Sequence, residues 1–152
     1  MLDARWRDLQ AQVHPDRFAS EGAAAQRIAM QWAMRVNEAY QRLKDPVRRA
    51  AYLCALRGVP VDAERNTAMP AAFLGQQMEW REALADARDL DAVERLGQDV
   101  TQTERDLLAR LTLCLDADNN TKAAATQVRA LMFVQRFRHD IERRLDVLDT
   151  TR

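Results

Sequence analysis

Three observations predict an all-α fold. Gly and Pro number only four each in 152 residues, so few positions break a helix. Alanine, leucine and arginine dominate and strand formers are scarce, which favours helix over sheet. Apolar residues recur three and four apart through most of the chain, the period of a helix with one buried face. This length suits one domain of ordinary size or two small ones sharing a core.

Residues 2–12 form the first predicted helix, because Leu2, Trp6, Leu9 and Val13 make one apolar stripe. Arg5 and Arg7 lie off that stripe and face solvent. A loop over 13–20 ends at Ser20, an N-cap type, and a long Ala-rich helix runs to about Lys44. Its apolar positions are Ile28, Trp32, Val36, Ala39 and Leu43. Asp45-Pro46 is an N-cap followed by a first helical residue, and this third helix stops at Gly58, with Pro60 beyond.

Residues 59–69 read as the linker and the domain boundary. Pro70 restarts a helix to about Ala87. After a turn at Asp89, a helix over roughly 90–115 carries Val93, Leu96, Val100, Leu107, Leu111 and Leu115 on one side. Residues 116–120 form a turn, and the last helix spans about 121–148. Three consecutive helices with short turns pack as an antiparallel bundle. The expected architecture is thus a helical hairpin plus a short helix over 1–58, then a three-helix bundle over 70–152.

Two helices of the bundle carry more apolar residues than a core needs. At about 100° per residue, Phe73, Gln77, Trp80 and Leu84 fall within about 60° of one another, while Leu74 and Met78 lie off that stripe. Glu79, Glu82 and Asp86 border them. In the last helix, the run Leu131-Met132-Phe133-Val134 covers all sides. The pattern leaves two readings open: burial under the linker or the first domain, or a protein-binding face with an acidic rim.

Composition narrows function by exclusion. The chain has no apolar run of about 18 residues, and neither a secretory signal nor a transit peptide is read at its start. A cytoplasmic protein is expected. Cys54 and Cys114 are sixty residues apart in Leu-rich contexts, so buried thiols are expected and no metal is. His139 is read as a surface residue. Without a metal-ligand cluster, Gly-rich phosphate loop or nucleophile elbow, neither an enzyme nor a cofactor is expected. The formal net charge is zero. Residues 1–60 carry ten Lys and Arg against six Asp and Glu, net +4, and the remainder net −4. That asymmetry suggests two surfaces with different partners, and it is too mild for nucleic acid.

One motif stands out. In His14-Pro15-Asp16, Pro15 fixes its own φ and pushes His14 out of the helical region. The result is a rigid corner presenting one ring and one carboxylate, suited to being read by a partner. At average amino-acid usage the tripeptide occurs by chance in about one chain of this length in a hundred.

The surrounding residues resemble a J-domain. Trp6-Arg7-Asp8-Leu9 leads to His14-Pro15-Asp16-Arg17-Phe18, and Val36-Asn37-Glu38-Ala39-Tyr40 is similar to that family's third helix. Lys44-Asp45-Pro46 and Arg48-Arg49-Ala50-Ala51-Tyr52 follow in the same order. Tyr52–Gly58, Phe73-Leu74 with Met78–Leu84, and Val128–Phe133 resemble one subfamily, HscB, the iron–sulfur co-chaperone.

The resemblance implies that the chain stimulates a heat-shock ATPase chaperone of the HscA type and delivers an iron–sulfur scaffold of the IscU type to it. Carried over by position, the chaperone contacts are His14, Pro15, Asp16 and Arg17, with Arg5 and Arg7 as basic helpers. The scaffold face is Leu74, Met78, Glu79, Glu82, Asp86 and Phe133. A monomer or weak self-association is expected. Three departures from the family pattern stand beside this. The first J-domain helix is not in the sequence, which removes packing for Trp6 and Leu9. Val13 replaces an aromatic and Gly75 a larger apolar residue. The paired-cysteine extension of some eukaryotic relatives is absent. The alternatives are a general J-protein for unfolded clients, against which the lack of a Gly/Phe-rich linker argues, and a helical interaction module outside chaperone systems.

Overall fold

In the computed structural model, which describes residues 1–150, the first two apolar stripes form α1 (Leu2–Val13) and α2 (Ala23–Lys44). They run antiparallel, since the pairs joining them step forward along one helix and backward along the other. Asp3 meets Tyr40, Trp6 meets Asn37, and Gln10 meets the Ala33 carbonyl. Asn37 is the hub: its Oδ1 accepts from Trp6 Nε1 at 3.0 Å and from Gln10 Nε2 at 2.7 Å. Tyr40 stacks on Trp6 with ring centroids 4.7 Å apart and donates its hydroxyl to Asp3 at 2.7 Å. That hydrogen bond, helped by Lys44 and Arg7, holds the Asp3 carboxyl below its ordinary value.

Polar pins join this hairpin beside half-buried apolar residues such as Trp6, Val36 and Leu43. Ala29 alone is buried among the residues of α1 and α2, while Leu9, Ile28 and Trp32 are exposed. Between the helices, the expected loop is instead a 3-10 helix, Pro15–Glu21. Ser20 falls inside it and caps nothing. The N-cap of α2 is Gly22, with φ +95°, a conformation open to glycine because it has no Cβ.

Asp45 caps α3 (Pro46–Leu56) as expected, its Oδ1 accepting from the amides of Val47 and Arg48 at 2.8 and 2.9 Å. The helix ends in a Schellman motif. Val59 N donates to Cys54 O, Gly58 N donates to Ala55 O, and Gly58 has φ +78°. The chain divides into two compact units, Met1–Arg49 and one that begins at Ala50. Residues 59–69 therefore belong to the second unit, folded against its last helix, where the sequence suggested a linker between units. Val61 is buried there, and Arg129, 5% exposed, is hydrogen-bonded to the carbonyls of Val61 and Ala68.

The second unit is built on α4 (Ala71–Asp86), α5 (Leu90–Thr112) and α6 (Thr121–Thr150), with a π-helical turn, Leu113–Ala117, extending α5. Asp89 caps α5 through Ala92 N, and Asn120 caps α6 through Ala123 N. Gln76–Thr103 and Trp80–Asp99 contacts make α4 and α5 antiparallel. Arg138 with Glu104, and Ile141 beside Gly97, do the same for α5 and α6. All six apolar positions expected along residues 90–115 are buried.

An aromatic cluster fills the space between α4 and α6. Phe73 lies edge-on to Trp80 and Phe133, at 5.8 and 5.7 Å between centroids, and Trp80 stacks on Phe137 at 5.6 Å. Trp80 Nε1 donates to Asp99 Oδ2 at 2.7 Å, which satisfies its buried polar end. Among the described residues there is no strand, and no helix is long and apolar enough to cross a membrane.

Cys54 is fully buried as expected, while Cys114 is only half buried on the π turn. Burial pushes the Cys54 thiol up, against the weaker opposing influence of Arg57 and Arg129. A raised thiol carries less thiolate at any pH below its own value, and thiolate is the reactive form. Ellman's reagent at pH 8 should therefore label one thiol rapidly in the folded protein and both after denaturation. Cys114→Ser should abolish the rapid phase, and a rapid phase that persists would contradict this packing.

Candidate functional site

The chain presents one surface in each compact unit. In the first, His14 both ends α1 and starts the 3-10 helix, with φ −61° and ψ 129°. Pro15 at the first helical position leaves no amide unsatisfied. The amide of Asp16 donates to His14 Nδ1 at 3.3 Å, so the imidazole itself is the cap. With Nδ1 as acceptor, the neutral ring carries its proton on Nε2. Arg17 braces the corner from below: its amide donates to His14 O at 3.1 Å, and its Nη1 donates to Ala11 O at 3.1 Å. The Asp16 carboxylate stands 91% exposed, with Oδ2 at 3.6 Å from His14 Nδ1. The corner is locally fixed, and its charge points outward.

Arg5 and Arg7 are both exposed, as expected, but they do not form one patch. Two residues apart on a helix means about 200° of rotation. Arg5 lies beside Leu2, Trp6 and Leu9 on an open apolar groove of about 370 Å³, whose α2 side includes Trp32 and Arg35. Arg7 is on the other side, close enough to Asp3 to help lower its carboxyl.

In the second unit, the outer face of α4 carries Leu74 and Met78, which are 47% and 66% exposed. Glu79, Glu82 and Asp86 are exposed beside them. Their carboxylates hold no ion pair among the described residues. Gly75 sits between them, and a side chain added there would meet nothing within 4 Å. The face is apolar at its centre, acidic at its edge and open.

Phe133, expected on this face, corrects the sequence reading. It is 9% exposed and its ring is part of the aromatic cluster, stacked on Phe137 at 5.9 Å. Arg81, which the sequence did not single out, lays its guanidinium 5.3 Å from the centre of that ring and covers it from outside. Of the run at 131–134, Leu131 and Val134 are fully buried and Met132 half buried. The surplus on α6 is thus absorbed by the unit's own packing, and the surplus on α4 is not. Among the described residues no group of three His, Cys, Asp or Glu side chains could hold a metal ion.

Comparison with known proteins gives these surfaces a context. Residues 69–142 match the family model described as the HSCB C-terminal oligomerisation domain. The co-chaperone protein HscB homologue of Paraburkholderia phymatum is 51% identical over 151 residues, covering 97% of this chain and 86% of that protein. The homologue from Cupriavidus taiwanensis is 52% identical, with 97% and 85% covered. This chain belongs to the HscB co-chaperone family. The structure of chaperone HscB from Vibrio cholerae is 38% identical, with a TM-score of 0.80 over 97% of this chain and 88% of that one. The crystal structure of human co-chaperone protein HscB has a TM-score of 0.84 at 24% identity, covering 92% and 71%, a likeness of fold.

The division between core and face can be measured. Phe133→Ala should lower unfolding stability by about 3–5 kcal/mol, the range for a buried aromatic. Met78→Ala should change it by no more than about 0.5 kcal/mol, as at an exposed site. Denaturant unfolding of the two variants checks this. Similar losses in both would place Met78 in the core.

Proposed function

We propose that this HscB-family chain is a two-ended adaptor in iron–sulfur cluster assembly. One end stimulates an ATPase chaperone of the HscA type, and the other holds a scaffold protein of the IscU type. The observation that carries the reading is the exposed Leu74–Met78 pair, rimmed by three unpaired carboxylates on a helix whose opposite face already has a complete core. An apolar centre with a polar rim is what a protein-binding site needs. The function divides as the chemistry does: residues 1–58 face the chaperone, and the bundle over 70–152 binds the scaffold.

At the chaperone end, the basic excess of residues 1–60 favours encounter with an acidic surface, because complementary charge raises association rate more than final affinity. His14, Pro15 and Arg17 hold Asp16 forward, and Asp16 competes for a charged contact inside the chaperone, favouring hydrolysis. Arg7 and Arg5 act as separate contacts on opposite sides of α1. At the scaffold end, Leu74 and Met78 supply buried area, while Glu79, Glu82 and Asp86 select a basic partner surface. The chain needs no cofactor for either task. Carrying both ends on one chain delivers the scaffold as ATP is cleaved.

Asp16→Ala should abolish most stimulation of the chaperone ATPase in a steady-state phosphate-release assay, with scaffold affinity unchanged. Full stimulation by the variant would sink the role given to the corner. Leu74→Ala combined with Met78→Ala should weaken scaffold binding by about 2 kcal/mol or more, the scale of central anchors. Isothermal titration reads this, and an affinity equal to the parent's would reject the face.

A further inference from the structure

Arg129 is a charged side chain inside a core. Only 5% of it is exposed, and no carboxylate pairs with it among the described residues. A buried cation without a counter-charge is costly unless its donors are taken up. Here Nε donates to Ala68 O at 2.5 Å and Nη1 donates to Val61 O at 2.8 Å. The fork of the guanidinium presents donors in fixed directions, so one planar group grips both carbonyls, seven residues apart in the chain.

The segment it grips is folded on itself. Asp62 takes φ +43°, and its carbonyl accepts from the amides of Arg65 and Asn66 at 3.0 and 2.8 Å. Asn66 Oδ1 then accepts from Ala68 N at 3.0 Å. Shortly afterwards Pro70 stands as the N-cap of α4, and Leu74 is the fourth residue of that helix. Farther along, Trp80 is anchored by Asp99 and by the aromatic cluster. The turn that carries Leu74 is held by Phe73 in that cluster and by Gln76 Nε2, which donates to Thr103 Oγ1 at 3.3 Å. The residues before Phe73 are placed by the chain that enters the helix.

We propose that Arg129 is a positioning residue for the docking face: by gripping both ends of the loop from Val61 to Ala68, it sets the entry of α4 and so the placement of Leu74. This rests on the reading of the Leu74–Met78 face as the scaffold site. A guanidinium serves here where a methionine would fill the same space, because it donates to both carbonyls and a thioether has no N–H to donate.

The test compares the full-length parent with Arg129→Met and Arg129→Lys by amide hydrogen exchange and by titration with an IscU-type scaffold. Arg129→Met should speed exchange about tenfold or more across residues 62–74 and leave the protected centres of α5 and α6 unchanged, as expected of a local opening. Scaffold affinity should fall about tenfold or more, the effect of misplacing a central anchor. Stimulation of the chaperone ATPase without scaffold should be unaltered. Arg129→Lys, which keeps the charge but lacks the rigid planar fork, should fall between the two. A parent-like affinity for Arg129→Met overturns the proposal, and so does weaker binding without faster exchange in 62–74. Exchange raised uniformly through the bundle also overturns it, since that marks a purely structural role. Should Arg129→Met not fold, Arg129→Lys decides on the same criteria. Leu74→Ala in the same titration separates the two ideas. If it weakens binding and Arg129→Met does not, this inference fails and the docking face stands. If neither weakens binding, the face itself fails.

Discussion

Burial of the middle of α6 on nearly every side is the constraint from which the second unit follows. From Ala124 to Val134, eight of eleven residues are buried, more than a two-helix contact can cover. Against it pack α4, α5 and the folded segment that Arg129 draws in. The aromatic cluster ties the same helix to α4 through Phe73, Trp80, Phe133 and Phe137. Once α6 is enclosed, α4 has one face left over, and that face is where Leu74 and Met78 remain open.

The first unit is held differently. Its helices are joined by Asn37, Trp6, Gln10, Tyr40 and Asp3, through hydrogen bonds and one aromatic stack. Hydrogen bonds at partly exposed positions contribute modestly to stability, about 1 kcal/mol each, and the apolar stripes beside them stay open to solvent. The rigid element in this unit is local. Pro15, the capping imidazole and the Arg17 brace fix the corner within a few residues, without long-range packing. A site meant to be read by a partner is well served by rigidity of that kind. The adaptor proposed above therefore couples a corner defined by its own backbone to a face defined by a whole bundle.

Sequence patterns of short range, the Ser20 cap excepted, proved reliable for identifiable reasons. The cap at Asp45, the turn at Asp89 and the stop at Gly58 depend on atoms within a few residues, and the structure has all three. The stripe from Val93 to Leu115 was legible because one period of 3.6 residues persisted for more than twenty positions. Leu74 and Met78 were legible as surplus because angular counting needs only the helix. Phe133 was not, since in a helix enclosed on all sides no angle is vacant. The 59–69 segment was misread because its composition resembles a linker and its partner lies more than sixty residues away. One signal was available: Arg129 interrupts the apolar run of α6, and an arginine on a buried face needs acceptors.

The sequence by itself determined the all-α class, the positions of six helices, the His14-Pro15-Asp16 corner and the family resemblance that the comparisons bear out. Each of these rests on local backbone chemistry or on motif order. Tertiary structure alone decided which surplus apolar residues stay exposed and that residues 59–69 are clamped to the bundle. Those outcomes depend on which helices enclose which faces, and that is settled by contacts between residues far apart in the chain.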